Sequence, residues 1–147
     1  MNVLDAVIQI IASFFGTLGF GFLFNIRGKK LVWAALGGML SWALFLALGF
    51  LFDSEPLRYL IVAICSTAYA EALARLMKTP AATFCIITLI PLVPGGAMYY
   101  TTTYALGGNA ELFLPKAIYT LELAVALSLG IVIVTAATKY ISKFKRK

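Results

Sequence analysis

Five apolar runs, each near the length that crosses a lipid bilayer and each closed by a short charged or proline- and glycine-rich gap, account for most of this chain. They fall at about 4–25, 31–52, 57–76, 81–106 and 116–140. A spanning helix needs about 20 mainly apolar residues at ~1.5 Å each. Of the 147 residues, 62% are apolar and 12% charged, against about 25% charged in an ordinary soluble domain, so no room remains for an aqueous unit. The expected fold is an all-α integral membrane bundle of about five transmembrane helices. It forms a single transmembrane domain over 1–147, as a multi-pass protein of the cell membrane.

The gaps are specific. Arg27-Gly28-Lys29-Lys30 stops the first run, Asp53-Ser54-Glu55-Pro56 the second, Lys78-Thr79-Pro80 the third and Leu106-Gly107-Gly108-Asn109 the fourth. Five spans put ten of the twelve cations on one side: Arg27, Lys29, Lys30, Arg75, Lys78, Lys139, Lys143, Lys145, Arg146 and Lys147. The other side keeps Arg58 and Lys116 with Asp5, Asp53, Glu55 and Glu111. Cytoplasmic loops collect Lys and Arg, so the N-terminus is expected outside and the basic C-terminal tail in the cytoplasm. No cation precedes the first run, so that helix is expected to stay in the mature protein.

Several functions are disfavoured. The net charge of +6 sits in the gaps between spans rather than on an aromatic-laced surface, which argues against nucleic acid as a partner. Histidine is absent, and with it the commonest general base and metal ligand. Without G-x-S-x-G or paired carboxylates, no catalytic residue, metal site or cofactor is expected and the chain is not expected to be an enzyme. Cys65 and Cys85 lie inside apolar runs at no ligand spacing and are expected to be small core residues.

The fourth run is interrupted by Pro91-Leu92-Val93-Pro94-Gly95-Gly96. Proline has no amide hydrogen and clashes with the carbonyl four residues back, so Ile87 and Ile90 should lose their usual donors. Gly95 and Gly96 relax the backbone further, which predicts an unwound segment near the midplane, about 15 Å after Ala81. Within a bilayer such a segment survives only where protein or a water-filled cavity covers it. The half-helix after it begins with unpaired amides and a positive dipole end, suited to a carboxylate, and Tyr99, Tyr100 and Thr101 follow within two turns. The alternative is a proline-kinked packing helix.

Other polar positions have two readings. Glu122, in the fifth run, is a candidate proton or substrate group if buried, or an interfacial residue that reaches water. Asn25 is a helix C-cap or a ligand. Glu71 and Arg75, four apart, suggest an ion pair. The pairs Ala12/Gly16, Thr17/Gly21, Ala34/Gly38 and Gly37/Ser41 have the spacing that brings helices close, within one bundle or against a second subunit.

The run Lys78-Thr79-Pro80-Ala81-Ala82-Thr83-Phe84, then Ile90-Pro91-Leu92-Val93-Pro94-Gly95-Gly96 and Tyr99-Tyr100-Thr101, resembles the C-terminal half of the threonine/serine exporter (ThrE-type) family. Gly16-Thr17-Leu18-Gly19-Phe20 with Leu23-Phe24-Asn25 is similar to the first helix of that half, although Ile26-Arg27-Gly28 builds the following turn differently. That half also occurs as a separate small subunit. The resemblance implies a small exporter subunit completed by a larger membrane subunit, moving a small carboxylate-bearing metabolite: an amino acid of the threonine/serine type or a dicarboxylate such as succinate. Pro91, Pro94, Gly95, Gly96, Tyr99, Tyr100 and Thr101 would form the substrate site, with Glu122 and Asn25 as candidate coupling groups. The rivals are a structural or regulatory membrane subunit, and a homo-oligomeric channel with no substrate site of its own.

Overall fold

The computed structural model describes residues 2–144; the tail cations Lys145, Arg146 and Lys147 lie outside the described residues. Six α-helices follow in order: α1 (Val3–Leu23), α2 (Lys29–Leu48), α3 (Glu55–Leu76), α4 (Ala81–Leu89), α5 (Gly95–Leu106) and α6 (Ala110–Phe144). A 3₁₀ turn, Ile90–Leu92, extends α4. Helices α1, α2, α3 and α6 are each long and apolar enough to cross a membrane, and the bent pair α4 with α5 has the length and apolarity of a fifth, taken as one broken span, or of a re-entrant loop. The chain is thus an all-helical, multi-pass membrane protein.

The last span starts earlier than Pro115 suggests. Asn109 accepts the Leu112 amide through Oδ1 at 3.2 Å, capping a helix that begins at Ala110 and carries Pro115 within it. Two other helices, α1 and α3, close on left-handed residues. Asn25 (φ 57°) closes α1, with the Ile26 amide on the Gly21 carbonyl at 2.9 Å and its own amide on Phe22. Lys78 (φ 49°) closes α3 in the same way, with Thr79 bonded to Ala74 at 3.0 Å. A side chain with a Cβ is strained at such an angle. Lys78→Gly is therefore expected to raise stability by about 0.5 kcal/mol, net of the added freedom of the unfolded chain. Lys78→Ala, which keeps the Cβ, should not gain; equal melting of the two variants in detergent would contradict this.

Helices meet through small residues. Thr17 is fully buried against Gly38, where an added Cβ would stand 2.2 Å from the Thr17 Oγ1, and Gly21 admits Leu31. Gly37 receives Thr88 and Tyr69. The Ser41 and Ser66 hydroxyls pair at 2.6 Å between α2 and α3. Most of the spaced small residues therefore serve the bundle itself. Ala12 and Gly16 do not: both are exposed on the outward face of α1. Cys65 departs from expectation too, lying exposed on α3, while Cys85 packs half-buried against the core.

The core has two parts. At one end Ile26, Leu31, Leu73, Ala74, Phe84 and Ile87 pack together, which gathers the basic ends of α1, α2 and α3 and the start of α4. At the other, Phe45, Tyr59, Val62, Leu89, Leu92 and Leu123 fill the space between α2, α3, α6 and the break.

Candidate functional site at the helix break

Pro91 enters the 3₁₀ turn after α4, and Val93, which precedes Pro94, is extended (φ −60°, ψ 123°), the conformation favoured before proline. Pro94 (φ −74°, ψ 56°) forms an inverse γ-turn closed by the Gly95 amide on the Val93 carbonyl at 2.7 Å. Helix α5 then departs at 64° to α4. The unwound part is short, just Val93 and Pro94.

Two expectations are corrected here. The Ile87 and Ile90 carbonyls are not orphaned: Ile87 accepts the Ile90 amide and Ile90 accepts the Val93 amide at 3.1 Å, because 3₁₀ bonding supplies donors one residue earlier. They are spoken for and not free to hold a cation. The break also lies further along the run than the ~15 Å expected. Nine α-helical residues and a 3₁₀ turn carry it about 20 Å from Ala81, level with Glu55 and Tyr59 in the first two turns of α3.

Gly95 and Gly96 have ordinary helical angles and begin α5. Their contribution is space, since both are exposed and an added Cβ would meet no atom within 4 Å. The amides of Gly96 and Ala97 belong to the first turn, where a helix has no acceptors of its own. Beside them lies a cavity of about 280 Å³ that Pro91, Pro94 and the two glycines share with Trp42, Tyr100 and three groups from the starts of α3 and α6: Glu55, Lys116 and Tyr119.

The cavity carries both signs of charge. Tyr119 donates its hydroxyl hydrogen to Glu55 Oε2, tying α6 to α3. The Lys116 Nζ stands 4.7 Å from the Tyr119 ring centre and 5.8 Å from that of Tyr100, so two aromatic faces hold the ammonium at the mouth. Below, the Arg58 guanidinium covers the Phe45 ring at 4.8 Å and its Nε is buried without a hydrogen-bond partner. Phe45 in turn stacks on Trp42 and meets Tyr59 edge-on, which stiffens the floor. A carboxylate can take the α5 amides and Lys116 while an ammonium takes Glu55.

The remaining residues expected at the site are placed differently. Tyr99 is 67% exposed and is not among the cavity's walls. Thr101 donates to the Ala97 carbonyl at 2.8 Å and pairs with Thr120 at 2.9 Å, holding α5 against α6. Asn25 caps α1 at the opposite end of the bundle and accepts Arg27 Nε at 3.0 Å. Glu122 is exposed on an outward face of α6 together with Ile118, Val125 and Leu129, about 9 Å along the helix from Lys116, and does not enter the cavity. Glu71 forms no ion pair with Arg75, because it turns to a groove beside α4 while Arg75 is exposed.

Glu55, Lys116 and Tyr119 escape a reading of the sequence. Glu55 and Lys116 look like loop charges, and only the i, i+3 placement of Lys116 and Tyr119 on one helical face hints that they act together.

The sequence model of the threonine/serine exporter family, ThrE, matches residues 9–137, from the first helix to near the end of the last. The chain belongs to the threonine/serine exporter family. No curated protein and no solved structure matches it. The family has an exporter-type transport role, and the matched span contains every wall of the break cavity. Among the described residues no group of three or more His, Cys, Asp or Glu side chains is placed to hold a metal ion.

Proposed function

We propose that this member of the threonine/serine exporter family is the small subunit of a secondary transporter for small carboxylate-bearing metabolites, with the break cavity as its substrate site. One observation carries the reading. The bend brings the uncapped start of α5 into one cavity of about 280 Å³ with Lys116 and Glu55. An uncapped helix start and an ammonium complement a carboxylate. Glu55 adds the complement of an α-ammonium, which favours threonine- or serine-like amino acids over succinate-like dicarboxylates. Transport of this kind needs no covalent step, so the chain acts as a carrier and not as an enzyme.

A larger membrane subunit completes the assembly in this proposal. Glu122 supports it: a carboxylate on an outward apolar face is costly against lipid and is relieved when a second chain packs there. The positive-inside rule puts the basic end of the bundle in the cytoplasm and the break cavity toward the outside.

Gly96→Leu fills the cavity mouth without meeting any backbone, since its Cβ has open space. Export of labelled threonine or serine from cells is expected to fall at least tenfold, with membrane insertion and melting unchanged. Export at the normal rate with intact assembly would leave the break as a packing kink and favour the structural-subunit reading.

A further inference from the structure

A second cavity, of about 580 Å³, runs between α3, α4 and α6 on the side of the bundle away from the break. Its floor is apolar, from Cys85, Ile86, Leu89, Leu127 and Ile131. Its polar walls are Thr67 and Glu71 on α3 with Thr135 and Lys139 on α6. Glu71 and Lys139 both face the cavity and, among the described residues, do not close on each other as an ion pair. Its volume is in the range of small-molecule sites.

Thr67 points to a ligand. Its side chain is fully buried, yet its hydrogen-bond contact is a 4.0 Å approach to the Cys85 sulfur. Thr88, Thr101, Thr120 and Thr135 instead donate to the carbonyl four residues back at 2.8–2.9 Å. A buried hydroxyl with so weak a partner forfeits most of a hydrogen bond unless something else takes it. Thr67 belongs to the wall of the same cavity as the two opposite charges, its hydroxyl fully covered in this structure, so that a bound molecule would meet it as the wall opens.

We infer that this groove is a second substrate site, binding a zwitterionic α-amino acid from the basic end of the bundle. Lys139 takes the carboxylate, Glu71 the ammonium, and Thr67 a polar atom of the bound molecule, with the apolar floor beneath its side chain. A dicarboxylate is rejected, because its second carboxylate would meet Glu71. The inference rests on the transporter reading above and deepens it. Each cavity carries one carboxylate from α3 and one ammonium from α6, with Glu71 about 24 Å beyond Glu55 along α3. Between the cavities stand Leu89, Leu92 and Leu123, all 5% exposed or less. Leu89 lines the groove and Leu123 lines the break cavity, so this apolar contact of α4 and its 3₁₀ turn with α6 is the barrier that a substrate passing from one to the other must open.

The test is binding of labelled L-threonine and of succinate to the full chain in lipid nanodiscs, with the break cavity blocked by Gly96→Leu. Threonine binding is expected to persist in that background and succinate binding to be absent. Adding Glu71→Gln or Thr67→Val should weaken threonine at least tenfold, and Thr67→Ser, which keeps the hydroxyl, should restore it. Thr67→Val is close to isosteric and guards against loss of fold in the Glu71 variant. Threonine binding unaffected by Thr67→Val and Glu71→Gln would overturn the inference, as would no threonine binding to the Gly96→Leu chain while wild-type cells export normally. The latter result leaves the break site standing. Normal export by Gly96→Leu cells, in contrast, overturns the break site and not the groove. A groove filled by a lipid chain would show as threonine binding abolished in nanodiscs and regained in short-chain detergent, and it too would overturn the assignment.

Discussion

Gly130→Leu is expected to pull α6 away from α3 and to lower stability by about 3 kcal/mol or more, the upper end of the cost of overpacking a tight contact. A Cβ at this position would lie 2.5 Å from the Ala63 Cβ, 3.0 Å from the Leu60 carbonyl oxygen and 3.1 Å from the Ile64 amide nitrogen. Two of the three are backbone atoms, so no rotamer change relieves the clash and the helices themselves must separate. In lipid, close packing is a main source of helix association, because apolar surface gains nothing by leaving one apolar solvent for another. The pairing of α3 with α6 is the most extensive helix contact among the described residues, and both cavities use α6 as a wall. Unfolding in mixed micelles should show the shift, with Gly130→Ala intermediate and partly rescued by Ala63→Gly. A Gly130→Leu chain that melts with the wild type would refute the packing argument.

Lys116→Glu is expected to reduce export about 100-fold, with little change in stability. Reversing the charge does two things at once: it removes the cation that the Tyr100 and Tyr119 rings hold at the cavity mouth, and it sets a second carboxylate beside Glu55. A substrate carboxylate then meets repulsion where it had a partner, and a tenfold loss corresponds to about 1.4 kcal/mol. Lys116→Gln, which only deletes the charge, should lose about tenfold, and Lys116→Arg should keep most of the rate through the same ring faces. Stability should hardly move, because Lys116 is half-exposed and such cations contribute little to folding. Export rates measured at matched protein levels, with melting curves alongside, separate the two effects. An unchanged rate in Lys116→Glu would remove the ammonium from the proposed mechanism.

The position of the break was legible from residue types alone, since two prolines three apart cannot both sit inside an α-helix. Its depth and its chemistry were not. The expected loss of two carbonyl partners assumed an α-helix up to the proline, whereas the chain tightens to a 3₁₀ turn and satisfies both. Asn25 and Glu122 each had two readings that only neighbours could separate: Asn25 is a left-handed cap, and Glu122 looks out from α6.

Hydropathy and the placement of charges determined by themselves that this is a membrane bundle of about five spans with one broken helix. Those properties belong to single segments: a run either is long and apolar enough to cross a hydrocarbon layer or is not, and the Pro91, Pro94, Gly95, Gly96 set deep inside a run breaks its helix, as Pro115 near the start of α6 does not. The meeting of Glu55, Lys116 and Tyr119 with the break, and of Glu71 with Lys139 across the groove, was decided only in the folded chain. These pairs come from distant segments, and what brings them together is how closely glycines such as Gly130 and Gly38 let helices approach and how far the 64° bend turns α5. Helix rotation and depth of that kind leave no period in the sequence.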